Sequence, residues 1–163
     1  GKAALLDALL QRLEERLIQP GFKVPPPEFF SGEGAYSENG PVDPVDFLTE
    51  GARHFFSRTK EETFLTWRMV MIGQFRYASA RRGLENQILN APLRFFVAIL
   101  ENMRSAGRIR ADVDCRSAGR VIAAIFFDFS FRANLKAAWD EESDAEFSAL
   151  TGELRCFMQE IML

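Results

Sequence analysis

The stretch RVIAAIFFDFSFRANLKAAW, residues 120–139, decides the fold. Placed on a helix, Phe126, Phe127, Phe129 and Phe131 point to every side, and a helix apolar all round is a buried helix. After a short acidic break, residues 144–163 carry Phe147, Leu150, Leu154, Phe157 and Ile161 at alternating spacings of three and four. That spacing makes a seam meant for another helix. Together the two segments hold more apolar surface than one small monomer needs. The reading is an all-α protein that closes its core by pairing with a copy of itself.

Upstream segments read as helices too. Residues 2–19 form an amphipathic helix, with Leu5, Leu6, Leu9, Leu10, Leu13, Leu17 and Ile18 in one stripe, stopped by Pro20 and Gly21. From 21 to 44 the pattern collapses into Pro25–Pro27, a Ser-Gly-Glu-Gly run and Asn39-Gly40-Pro41. This is a long loop, either a mobile linker or, given Phe29, Phe30 and Tyr36, a lid. Asp43 or Asp46 caps a helix running to about residue 58. Residues 60–79 form a more buried helix, with Phe64, Trp67, Met71 and Phe75 on one face and Leu65, Met69 and Ile72 on another, broken by Arg81-Arg82-Gly83. A long helix follows from about 85 to 106, interrupted near Pro92, which removes a donor and disfavours helix before it. Gly107 suits the left-handed position past its end. Residues 109–113 are an extended connector, and Asp114 is the N-cap of the Phe-rich helix. Gly119 and Ala123, one turn apart, allow close helix contact.

With 163 residues the chain is sized for one domain with its own core. Sixteen Phe against two Tyr and two Trp imply a large oily interior or an oily cavity, because Phe fills dry space without needing a hydrogen-bond partner. The net charge of −3 lacks the field of a nucleic-acid-binding module. Cys115 and Cys156 fit no metal or redox spacing, and the lone His54 argues against zinc. Reduced thiols, the lack of a signal pattern and the charges Asp128 and Arg132 in the longest apolar run point to a cytoplasmic protein with no membrane span. The first residues already lie inside a helical pattern without a Met, so an upstream segment is expected.

No catalytic constellation emerges: there is no phosphate-binding glycine loop, no nucleophile elbow, and the carboxylate pairs Glu14/Glu15, Glu61/Glu62 and Glu141/Glu142 fall on helix faces or starts. The expectation is no enzyme, no cofactor and no metal. Asp128 and Arg132, one turn apart, read as an ion pair or an interface contact, or else as a polar anchor in a pocket. Arg68, between Phe64 and Met71, reads as a snorkelling surface arginine or as the partner of a buried anion.

Two stretches resemble a known family. The opening GKAALLDALLQRL looks like the start of the fourth helix of TetR-type transcriptional regulators, just after their DNA-binding helix-turn-helix. Residues 90–124 resemble that family's seventh helix passing into the eighth: a helix ending in Gly107, then Ile109, Arg110, Asp112 and Asp114, then a small-residue-rich helix with Ala118 and Gly119. The resemblance implies a multi-helix regulatory domain, 1–163, comprising a connecting helix (1–19), a loop (20–44) and a helical core (45–163). Its DNA-binding module would lie upstream. The two C-terminal helices of each copy would form a four-helix dimer interface through Ile125, Phe129, Arg132, Phe147, Leu150, Leu154, Phe157 and Ile161. A small lipophilic effector would bind among the middle helices, at Trp67, Arg68, Met71, Phe75, Phe96, Ile99 and Met103, with His54 and Phe55 as wall. Operator DNA would be reached through the upstream module. Leu150→Glu or Leu154→Glu is expected to break such a dimer. The alternative is a stand-alone helical dimer that carries a lipophilic molecule.

Overall fold

The computed structural model describes residues 1–17, 23–38, 40–58, 61–135 and 143–163, with all side chains among them except those of residues 10, 13–17, 55–58, 61–64, 66, 67, 87, 134, 135 and 143. The described residues form an all-α fold. Its helices are α1 (Lys2–Leu17), α2 (Pro27–Ser31), α3 (Pro44–Arg58), α4 (Glu61–Gly73), α5 (Ala78–Gly83), α6 (Ala91–Ser105), α7 (Cys115–Leu135) and α8 (Ser143–Ile161). A 3-10 turn covers Gly34–Tyr36 and a π-helical turn covers Leu84–Asn90. The only β pairing among the described residues is an isolated antiparallel bridge between Ile109 and Met162. The chain divides into two compact units, Gly1–Lys23 with Arg58–Pro92, and Val24–Ser57 with Leu93–Leu163.

In the first unit α1 packs on α4 and α5, and α4 on α5. Leu6, Val70 and Ala80 are buried, and Gly73 leaves room for Leu6 and Ala80 to approach. The helix expected over 60–79 stops early. The Gly73 carbonyl accepts the amides of both Arg76 and Tyr77, which turns the chain before α5 begins. Arg81, Arg82 and Gly83 lie inside α5 instead of breaking the longer helix. The face of α4 that carries Leu65, Met69 and Ile72 is exposed, while Val70 is buried. Of the expected α1 stripe, Leu6 points inward and Leu5 outward, while Ile18 lies outside the described residues.

The second unit holds the larger core. Phe96, Ile99, Leu100 and Met103 of α6 are buried in it, as are Ile122, Phe129 and Ala133 of α7. From α8 come Phe147, Leu150, Leu154, Met158 and Ile161, from α3 Val45, Leu48 and Ala52, and from α2 Phe30. Local chemistry sets the helix ends. Asp43, not Asp46, caps α3, its Oδ1 accepting the Val45 amide at 2.7 Å. Gly107, at φ +67°, ends α6 with the amides of Gly107 and Arg108 donating to the carbonyls of Arg104 and Met103. That is the paired hydrogen-bond arrangement of a left-handed helix terminus. Asp114 caps α7 through the Arg116 amide at 3.1 Å and the Ser117 hydroxyl at 2.6 Å. Gly119 then allows α7 to lie against α6, since a Cβ there would sit 2.7 Å from Val97 Cγ2.

The stretch expected as a loop, 21–44, carries structure from Val24 onward. Pro27 opens α2, where its missing N–H costs nothing. Phe30 is fully buried, and Phe29 meets Phe30, Tyr36 and Phe47 edge to face at 5.2–5.4 Å between ring centres. Asn102 donates to the Pro25 carbonyl at 2.7 Å and Arg108 to the Phe30 carbonyl at 2.9 Å. Burial of the aromatic rings offsets the entropy of ordering the segment, which a count of prolines and glycines alone does not reveal.

Candidate functional site

A half-open cleft of about 250 Å³ lies between α7 and α8 in the second unit. Phe129 and Leu150, both nearly fully buried, form its apolar floor. Asp128, Arg132, Glu146, Ala149 and Glu153 form its walls. These positions share the cleft because residues 128, 129 and 132 fall on one flank of α7, and 146, 149, 150 and 153 recur every three or four residues on the facing flank of α8. Arg132 donates to Asp128 Oδ2 at 2.7 Å. That hydrogen bond, the Asp128 charge and the fields of Glu146 and Glu153 hold the guanidinium even more firmly protonated than usual. Three carboxylates against one guanidinium leave the rim acidic, while the floor is hydrocarbon. Among the described residues, no Ser, Thr, Cys or His lines the cleft.

The residues expected at a dimer interface separate into two groups. Phe147, Leu154 and Ile161 are buried in the chain's own core, Leu154 completely. The seam of α8 is therefore filled from within by α7 and the core it faces. Phe129 and Leu150 are shared between that core and the cleft floor, while Arg132 stands on the rim and Ile125 and Phe157 are half-buried. The outward flank of the pair is formed instead by Val121, Ala124, Asp128 and Arg132 on α7, and by Ala149, Glu153 and Cys156 on α8, all exposed. Glu146, Ala149 and Glu153 were not singled out in the sequence. Their signal is the three-and-four spacing one position beside the apolar seam.

The residues expected around a small ligand divide between the two units. Phe96, Ile99 and Met103 come together on the inward face of α6, with Phe96 stacked on Phe126 at 4.8 Å. His54, on α3 of the same unit, is exposed. Arg68 and Met71, both half-buried, belong to the first unit, as does Phe75, which is 81% exposed in the turn after α4. The side chains of Phe55 and Trp67 lie outside those described.

Other chemistry-bearing groups are few. Cys115 is buried, and burial pushes its thiol above the ordinary cysteine value despite the opposing field of Arg104. Cys156 is exposed and free. Among the described residues, no group of three or more His, Cys, Asp or Glu side chains is placed to hold a metal ion, and no helix is long and apolar enough to cross a membrane. Compared with known proteins, the chain matches no protein-family model, no curated protein and no solved structure.

Proposed function

We propose that this chain is the effector-binding and dimerisation domain of a cytoplasmic, ligand-responsive transcriptional regulator of the TetR type, acting as a repressor. The observation that carries the reading is the passage from α6 to α7. A left-handed Gly107, a short connector through Ile109, Arg110 and Asp112, the Asp114 cap and the close approach at Gly119 occur together and in the order that the resemblance requires. The all-helical fold and the α7–α8 pair at the C-terminal end support it.

In this reading two copies pair through the outward flanks of α7 and α8 about a two-fold axis, so that each cleft faces its counterpart. A small lipophilic effector binds in the helical interior. It acts by population shift, favouring one of two spacings of the DNA-binding modules, and only through its differential affinity for those states. The domain binds and transmits; it does not catalyse.

Interface tests belong on the outward flank, because Leu150 and Leu154 serve the chain's own core. Sedimentation equilibrium of the wild type and of the Val121→Arg and Ala149→Arg variants tests the pairing. The expected result is a wild-type dimer at low micromolar concentration and variants displaced toward monomer with unchanged helicity. A monomeric wild type, or variants that dimerise as well as it does, contradicts the proposal.

A further inference from the structure

A row of apolar side chains on the first unit is left uncovered. On α4, Leu65, Met69 and Ile72 follow one another at spacings of four and three, which puts them on one face. All three are exposed, Ile72 to 74%, and Phe75, in the turn just after the helix, is 81% exposed. The packing side of α4 lies elsewhere on the helix, where Val70 is buried and Gly73 meets Leu6 of α1 and Ala80 of α5. Exposed apolar residues scattered singly are ordinary, whereas an aligned group marks an interaction surface.

The charge around this row is one-sided. Residues 63–84 hold four arginines and no Asp or Glu, in a chain whose net charge is −3; Glu61, Glu62 and Glu85 bound the stretch. Arg68, three residues after Leu65 and four before Ile72, borders the row on α4. Arg76 follows Phe75 directly and is exposed. Arg81 and Arg82 are exposed on α5, which packs on α4, so their charge falls within the ~10 Å over which surface potentials persist. Arg76, Arg81 and Arg82 make no ion pair among the described residues.

We infer that this face of α4 is a contact for an anionic lipid surface. The apolar row enters the boundary between headgroups and acyl chains, and the guanidinium groups stay among the headgroup anions. Arg76 and the half-buried Tyr77, next to the protruding Phe75, are residue types that sit at that level. A second copy fits the face poorly, because self-pairing would bring like charges together. No helix among the described residues is long and apolar enough to cross a membrane, so the contact is peripheral. The inference does not depend on the proposed regulatory function.

The test is flotation of the full chain with vesicles of phosphatidylcholine alone and of phosphatidylcholine containing about one third phosphatidylserine. The wild type is expected to float with the serine-lipid vesicles, at least about tenfold more than with the neutral ones, and to be released by ~1 M salt. Ile72→Ser and Phe75→Ser, at sites that the fold leaves exposed, are expected to keep wild-type helicity by circular dichroism and to lower binding about tenfold each. Arg81→Gln combined with Arg82→Gln is expected to lower binding to the serine-lipid vesicles about tenfold. A wild type that floats with neither vesicle overturns the inference, and leaves an acidic protein surface as the occupant the same chemistry fits. Equal binding to both vesicles, or undiminished binding by the folded Ile72 and Phe75 variants, overturns it as well.

Discussion

Helices α8 and α4 are both rich in apolar residues, yet the fold uses them in opposite ways. In α8 the apolar residues keep a spacing of three and four, and Phe147, Leu150, Leu154, Met158 and Ile161 all turn into one core. In α4 they spread around the circumference, so a single packing face absorbs only some of them. Val70 is buried, while Leu65, Met69 and Ile72 stay exposed. Neither apolar content nor spacing alone therefore marks a buried face: Leu65, Met69 and Ile72 keep a spacing of four and three and stay exposed, because a stripe is buried only where a neighbour covers it.

This contrast is broken most severely at Leu154. Leu154→Glu places a carboxylate in a fully buried site without a partner and is expected to abolish folding of the second unit. Leu154→Ala is expected to cost about 2–5 kcal/mol by chemical denaturation. A cost near zero would put the α8 seam on the surface and erase the distinction from α4. Next in size is Gly119→Ala, whose Cβ would meet Val97 Cγ2 at 2.7 Å and the Val97 amide nitrogen at 3.2 Å. A loss of about 1–3 kcal/mol is expected, partly recovered by adding Val97→Ala. Absence of any recovery would mean that the side chain is not what limits the approach.

A smaller effect is expected from pH at Asp114. The Ser117 hydroxyl, then the Arg116 amide, hold its carboxyl below the ordinary aspartate value. A depressed folded-state pKa gives stability that is complete above the unfolded-state value and is lost as pH falls through the folded one. Asp114→Asn keeps a capping oxygen but cannot titrate, so its acid unfolding profile should be flatter than that of the wild type across that window. Profiles of equal slope would remove Asp114 from the acid response. The smallest effect belongs to α4: Ile72→Ser, at a 74% exposed site, should change stability by no more than about 0.5 kcal/mol. A loss comparable to Leu154→Ala would show that this face is covered in solution.

The same contrast explains what was legible in the sequence. Helices with one clean stripe, and ends marked by a cap or a left-handed glycine, were readable. The Asp114 cap, the Gly107 terminus and the interruption near Pro92 all stand where their residues point. The break after Gly73 was not readable, because it depends on the approach of Leu6 and Ala80 from other helices. The order within 24–44 was hidden too, since Phe30 is held by Arg108 and a socket built by distant segments. At the candidate site the seam residues were visible, but not that α8 spends them on its own chain. The polar rim of Glu146 and Glu153 was hidden because isolated carboxylates on a helix ordinarily mark only a solvated face.

The central claim, a self-pairing helical domain that holds a small apolar molecule, is tested most directly by native mass spectrometry of the purified chain under gentle and then harsh activation. The account predicts a dimer that sheds a small lipophilic mass on activation. A bare monomer under gentle conditions would contradict it.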